Sequence, residues 1–166
     1  CVTALTMSGL PTRRFAFEAF LPSDKKEREA VLKELEKETR TIVLYEAPHR
    51  LKKTLKLLLE HLGDRKVTVC RELTKKHETA FLTTLSEALR HYEEEEPKGE
   101  CVLVLEGRSR KKMEQEAQEK WTEISLEEHM GIYLSQGLNK KEAMKSVAKD
   151  RGISKRDVYQ ALETEE

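Results

Sequence analysis

Thr41-Ile42-Val43-Leu44-Tyr45-Glu46-Ala47-Pro48-His49-Arg50-Leu51-Lys52-Lys53 is the stretch from which the rest of the chain can be read. Ile42 to Tyr45 is a short continuous apolar run, which suits a strand buried on both faces. Pro48 falls where a first helical position would be, because its missing N–H is no loss there. From it the spacing predicts a helix with Leu51, Leu55, Leu58, Leu59 and Leu62 on one stripe, closing at Gly63. The charges at its start are at the wrong end. Arg50, Lys52, Lys53 and Lys56 crowd the terminus where the backbone dipole is already positive, each unfavourable by about 0.3–1 kcal/mol if unscreened. An anion bound there, such as a nucleic-acid phosphate, would make the arrangement favourable. The competing reading leaves these cations in solvent, screened by salt.

Charged residues make up 37% of the 166 positions, yet 31 basic side chains balance 31 acidic ones. A net charge of zero gives no global attraction to nucleic acid, so any basic surface must be a local patch. The length suits one full domain with a small appendage, or two small domains. No apolar run approaches the roughly 20 residues of a membrane span, so no membrane partner is expected. Cys1, Cys70 and Cys101 are odd in number and widely spaced. Cys70 and Cys101 lie in apolar runs and read as buried, reduced thiols of a cytoplasmic protein. Nothing pairs Cys with His at zinc spacing, so no metal site is expected. Cys1 to Pro11 reads as the end of a helix stopped by Gly9 and Pro11, and the chain is expected to be part of a longer polypeptide.

Phe15-Ala16-Phe17-Glu18-Ala19-Phe20 alternates bulky and other residues, which predicts a strand with one apolar face. Asp24-Lys25-Lys26-Glu27 has the form of a capping box and opens a helix to about Glu38, with Ala30, Val31 and Leu35 inward. Lys66 to Cys70 is the next strand, with Val67 and Val69 on one face. Phe81-Leu82 marks a further short strand, Thr84 caps a helix to about Tyr92, and Cys101 to Leu105 is a second continuous apolar strand. This alternation predicts an α/β structure over residues 1–107, a mixed and mostly buried sheet flanked by helices.

Residues 108–120 carry no apolar side chain except Met113 and Ala117, so they read as a linker or an exposed helix. Residues 121–166 hold three cap signatures, at Ser125, Asn139 and Ser154. The apolar positions that follow are Leu126, Met130, Tyr133 and Leu134; Ala143, Val147 and Ala148; and Val158, Tyr159 and Leu162. They predict a small three-helix domain of helix-turn-helix type. Lys155 and Arg156 at the start of its last helix could face a nucleic acid, as recognition helices do. A packing or dimerisation appendage is the competing reading.

Ala4-Leu5, Ser8-Gly9-Leu10-Pro11, Phe20-Leu21-Pro22, Tyr45-Glu46-Ala47-Pro48-His49-Arg50-Leu51, Arg71-Glu72-Leu73-Thr74-Lys75 and Gly99-Glu100 occur in this order. Together they resemble the ribosomal small-subunit RNA methyltransferase I family, within the tetrapyrrole-methylase superfamily. The resemblance is close over Cys1 to Gly107, and Trp121 to Leu162 looks like the family's small C-terminal helical domain. It implies two α/β domains holding S-adenosylmethionine in the cleft between them, this chain matching the second. The reaction it implies is methylation of the ribose 2′-hydroxyl of a cytidine in small-subunit ribosomal RNA or the ribosomal subunit, by a homodimer. Two departures stand out. Ala19 occupies a position where the family usually has Gly, and none of the seven glycines forms a G-x-G turn, since the glycine-rich first domain lies outside the match. The chain by itself is therefore expected to bind S-adenosylmethionine weakly or not at all.

By that resemblance, cofactor contacts fall to Cys1, Val2, Tyr45, Glu46, Leu73, Gly99 and Glu100, near the ends of apolar strands where open α/β sheets place ligands. For Tyr45 and Leu73 ordinary core packing competes. A hydroxyl nucleophile benefits from a nearby base, and Glu46, His49, Glu72 and His77 are eligible. Glu46 and His49 are preferred, because the strand-to-helix turn presents them together. Arg50, Lys52, Arg71, Lys75 and Lys76 are assigned to RNA phosphates. Two other classes compete: a non-enzymatic RNA-binding module using the basic helix start and the helical tail, and a superfamily methylase acting on a tetrapyrrole.

Overall fold

The computed structural model describes residues 1–164, which fall into two compact units, Cys1–Arg108 and the residues from Ser109 onward. The first unit is built on a sheet of β1 (Phe15–Ala19), β2 (Thr41–Glu46), β3 (Lys66–Arg71), β4 (Thr79–Thr84) and β5 (Cys101–Leu105), in the order β1-β2-β5-β3-β4. β1 runs parallel to β2, and the other neighbours are antiparallel. The two continuous apolar runs, β2 and β5, lie side by side near the centre, where both faces are covered. Helices α2 (Lys25–Lys37), α3 (Pro48–Leu62) and α4 (Leu85–Glu94) cover one face, packing on Ile42, Leu44, Val67, Val69, Leu103 and Leu105. The six-residue helix α1 (Val2–Met7) covers part of the other, with Ala4 and Leu5 against Val43, Cys70, Val102 and Val104.

Pro48 is the first residue of α3, as its chemistry requires, and Gly63 closes the helix at φ 73°. The buried stripe is Leu51, Thr54, Leu55, Leu58 and Leu62; Leu59 is only half-buried, and the polar Thr54 takes an interior place that hydropathy alone does not give it. In α2 the buried residues are Leu32 and Leu35, while Ala30 is exposed and Val31 half-buried, a shift of the stripe towards the larger side chains. Asp24 caps this helix by accepting the Glu27 N–H at 2.9 Å.

β1 differs from its expectation. Its inward residue is the small Ala16, which pairs with Ile42 over the helical layer, whereas Phe15 and Phe17 lie exposed on the α1 side. The strand is at the sheet edge, and the cluster that α1 covers, with Val43, Cys70, Val102 and Val104, does not include Phe15 or Phe17. A bulge interrupts the register with β2 between Phe17 and Ala19, and Ala19 adopts φ 51°. That left-handed conformation costs a non-glycine residue about 1–2 kcal/mol. A glycine would occupy it freely, which gives a physical reason for the Gly that the family resemblance leads one to expect there.

In the second unit the residues expected as a linker or an exposed helix form α5 (Arg110–Glu119), a regular helix with no buried residue. α6 (Leu126–Ser135), α7 (Lys140–Arg151) and α8 (Lys155–Thr164) follow, opened by Ser125, Asn139 and Ser154. All three caps are reciprocal, each side chain accepting an N–H three residues on while the acidic residue there accepts the cap's own N–H. Met130, Ala143, Met144, Val147, Ala148 and Val158 make the core; Leu134 and Tyr159, expected inward, are exposed. Beside the core lies a polar cluster that periodicity does not reveal. His129 is fully buried, stacked on Trp121 with ring centroids 3.9 Å apart and planes 9° from parallel. Its Nδ1 accepts from Arg151 Nε at 3.2 Å, so the ring is neutral and carries its proton on Nε2, 3.3 Å from Asp150 Oδ2.

Burial first, and then the Arg151 guanidinium, hold the His129 imidazole below its ordinary value against the opposing pull of Asp150. A histidine depressed by folding contributes stability above its unfolded pKa of about 6.5 and loses that contribution as the pH falls. The second unit is therefore expected to lose stability as the pH falls below about 6.5. Trp121 is the single tryptophan and reports on this unit by its fluorescence during urea unfolding. In His129→Phe the acid-side loss should shrink; an unchanged pH slope would exclude His129 as its source.

Candidate active site

The carboxyl end of β2, the turn after β3 and the entry to β5 meet at one edge of the first unit. Between them lies a cleft of about 410 Å³. Tyr45, Glu46, Ala47 and Pro48 form one side, Leu73, Glu100, Cys101 and Val102 the other, and Cys1 and Phe20 contribute to its rim. Ligands in open α/β sheets collect at such strand ends, where loops rather than paired strands supply the groups.

One carboxylate organises the β2 side. Glu46 is only 2% exposed. Its Oε2 accepts from the Thr54 hydroxyl at 2.5 Å, and its Oε1 accepts from the Ala47 N–H at 2.9 Å. Arg50 Nε lies 3.4 Å from Oε1, while its Nη2 donates to the Leu21 carbonyl at 3.0 Å. The chain Thr54, Glu46, Arg50, Leu21 thus ties the first turns of α3 to the end of β2 and to the segment following β1. Helix α3 has no acidic residue in its first turn, and Glu46, just outside, supplies the missing negative charge. The anion that meets Arg50 is internal.

The opposite side is fixed by a second carboxylate. Glu72 Oε1 accepts from the Glu100 N–H at 2.9 Å, and Glu72 N–H donates to the Glu100 carbonyl at 3.1 Å. Lys75 Nζ bridges Glu72 and Glu100 at 3.3 and 3.1 Å. The Glu100 N–H, followed by Lys75, holds the Glu72 carboxyl below its usual range, and Glu100 and then Glu72 raise the Lys75 ammonium. Glu72 and Thr74 adopt left-handed φ values of 51° and 66°, so the turn that presents Leu73 is held against local preference. Gly99 serves this clamp: at φ 77° it leaves room for the Glu72 carboxylate, which a Cβ would meet at 2.1 Å. The thiol of Cys101, buried in the cleft floor, is pushed up to about 11 by desolvation, as is that of Cys70, so neither is a thiolate near neutral pH.

Residues 1–89 match the model of the Tetrapyrrole (Corrin/Porphyrin) Methylases family. The chain is a tetrapyrrole-methylase family member. It is 46% identical over 158 residues to the Ribosomal RNA small subunit methyltransferase I of Halalkalibacterium halodurans, covering 95% of this chain and 54% of that protein. It is 44% identical over 160 residues to the protein of the same name from Bacillus subtilis, covering 96% and 54%. The chain thus spans about half the length of the curated relatives it matches. The crystal structure of the methyltransferase CobJ is similar over 64% of this chain and 46% of that chain, with 18% identity and a TM-score of 0.49.

Of the cofactor positions that the methylase resemblance implies, Cys1, Tyr45, Glu46, Leu73 and Glu100 line the one cleft. Gly99 adjoins it as a spacer for Glu72, and Val2 points to solvent from α1. Glu46 and His49, expected together as bases, differ sharply. Glu46 has both oxygens engaged, whereas His49 is exposed on the first turn of α3 and does not border the cleft. The phosphate-binding expectations divide in the same way. Arg50 and Lys75 are committed to internal carboxylates. Arg71 is half-buried, stands in register with Cys101 and has its Nε shielded from solvent. Lys52 is half-buried, Lys76 is exposed, and Lys155 and Arg156 are exposed in the second unit. Sequence reasoning missed Thr54. The signal for it was a hydroxyl residue on the apolar stripe of a leucine-rich helix, eight positions after a glutamate.

Thr54→Val removes the donor and leaves a buried carboxylate oxygen unpaired. The loss expected is about 2 kcal/mol, in the range for hydrogen bonds to charged groups, with Thr54→Ser restoring most of it. Urea unfolding of the first unit measures this; a Val variant as stable as the parent would show that Glu46 does not depend on Thr54.

Proposed function

We propose that this chain supplies one wall of the S-adenosylmethionine site of a ribosomal RNA methyltransferase acting on a ribose 2′-hydroxyl of a cytidine in the small subunit. The observation carrying the proposal is the 46% identity across 95% of the chain to a protein named Ribosomal RNA small subunit methyltransferase I. The cleft at the strand ends supports it. In the reaction the ribose oxygen attacks the sulfonium methyl, the C–S bond breaks, and the hydroxyl proton passes to a base or to water. The methyl is already activated on the donor, so the protein's share is alignment and desolvation.

Glu46 is proposed as a positioning residue, since its carboxylate has no free oxygen to take a proton. His49, with an unengaged ring, is the side chain of that turn left for proton acceptance. Cys1, Tyr45, Leu73 and Glu100 are proposed to border the cofactor, and Lys52 and Lys76 to meet RNA phosphates. A tetrapyrrole substrate is the second reading that the family name allows. The identity to relatives named for ribosomal RNA methylation favours the RNA reading over it.

The test is methyl transfer by the full-length polypeptide from labelled S-adenosylmethionine to small-subunit ribosomal RNA, with nuclease digestion and mass spectrometry of the nucleosides. The outcome expected is 2′-O-methylcytidine, with kcat lowered about 100-fold in His49→Ala. Transfer to a tetrapyrrole and none to RNA would overturn the proposal.

A further inference from the structure

Phe15, Phe17 and Phe20 are 36%, 48% and 54% exposed, although they are the bulkiest apolar side chains of their segment. Phe15 and Phe17 project from the same face of β1, at a spacing of about 7 Å for residues two apart on a strand. Phe17 and Phe20 stand edge-on to Tyr45, with centroids 5.1 and 5.8 Å away and planes inclined at 71° and 64°. Phe20 and Tyr45 also line the cleft, so this aromatic strip runs into the candidate active site without a break. Immediately before it, Arg13 and Arg14 are exposed, and neither makes an ion pair among the described residues.

We propose that β1 is a stacking platform for the single-stranded RNA flanking the methylated nucleotide, with bases on Phe15, Phe17 and Phe20 and phosphates on Arg13 and Arg14. The inference rests on the ribosomal RNA methyltransferase reading above and adds to it the surface that holds the substrate strand. Exposed aromatic rings at strand spacing accept successive bases whatever their sequence, and sheet-borne aromatics are a recurrent way of holding unpaired RNA. The two unpaired guanidinium groups favour a polyanion over an apolar protein surface, whose rim would have to neutralise or desolvate them. The expected phosphate ligands Arg50 and Lys75 are spent on internal carboxylates, whereas in this strip exposed aromatic and cationic groups adjoin.

Fluorescence anisotropy of fluorescein-labelled hexacytidylate RNA with the full-length polypeptide tests this directly. The double variant F15L/F17L keeps apolar volume at exposed positions and removes two ring faces. It should weaken binding about tenfold or more, while Phe17→Trp retains it. R13Q/R14Q should weaken binding and reduce the slope of log affinity against log salt by about 1.4, the value for two phosphate contacts on a single strand. Affinity of F15L/F17L within about twofold of the parent would overturn the proposal. So would a loss of affinity accompanied by a changed mass in light scattering, which would assign the face to a second copy. Failure of the two readings is separable. Methylation retained with F15L/F17L binding unchanged defeats the platform alone; hexacytidylate binding lost in F15L/F17L with no methyl transfer by the parent defeats the methyltransferase reading alone.

Discussion

A buried carboxylate must be satisfied or neutralised, and the first unit is arranged so that Glu46 is satisfied. Its two oxygens take a hydroxyl from the second turn of α3 and an amide from the helix entrance, with a guanidinium alongside. Leaving such a group unpaired would cost several kcal/mol, a large part of the net stability of a domain this size. The constraint explains several features together. A threonine sits on a leucine stripe, an arginine lies at the positive end of a helix, and the segment after β1 is tied down through the Leu21 carbonyl. The same bonds fix the Ala47-Pro48 edge of the cleft and hold Phe20 and Tyr45 beside it.

The far side of the cleft uses the opposite device. Its turn is unfavourable in isolation, with two non-glycine residues in the left-handed region, and it is kept there by charge and by one glycine. Glu72 and Lys75 look like surface residues in the sequence, with alternating signs and little apolar content. In the fold they are spokes of a clamp whose hub is the Glu100 backbone, and Gly99 admits the carboxylate. The rigid β2 side and the clamped β3 side thus differ in origin: one is set by burial, the other by solvent-exposed ion pairs that salt would weaken.

The strands and helices were legible because their signals are local. Continuous apolar runs marked β2 and β5, Pro48 marked the start of α3, and the Ser/Asn caps marked the helices of the second unit. What escaped was set by partners distant in sequence. Whether Arg50 faces RNA or Glu46 depends on the register of α3 against β2. Whether the Phe face of β1 is inward depends on which separate element packs on that edge of the sheet. His129 and Thr54 were invisible for a related reason: a polar residue in the interior is placed by its hydrogen-bond partners, and periodicity carries no information about these. Most of the cofactor residues that the motif resemblance named line one cleft, yet the resemblance could not say that both Glu46 oxygens are engaged by Thr54 and Ala47.

The central claim is that the cofactor lies against the edge fixed by the Glu46 network. A crystal structure of the full-length polypeptide with S-adenosylhomocysteine tests it most directly. The account predicts ligand atoms within about 4 Å of Tyr45, Leu73 and Glu100, with the Thr54 hydroxyl still bonded to Glu46. A ligand bound away from these residues, or a Glu46 carboxylate turned out of its pocket to touch the ligand, would contradict it.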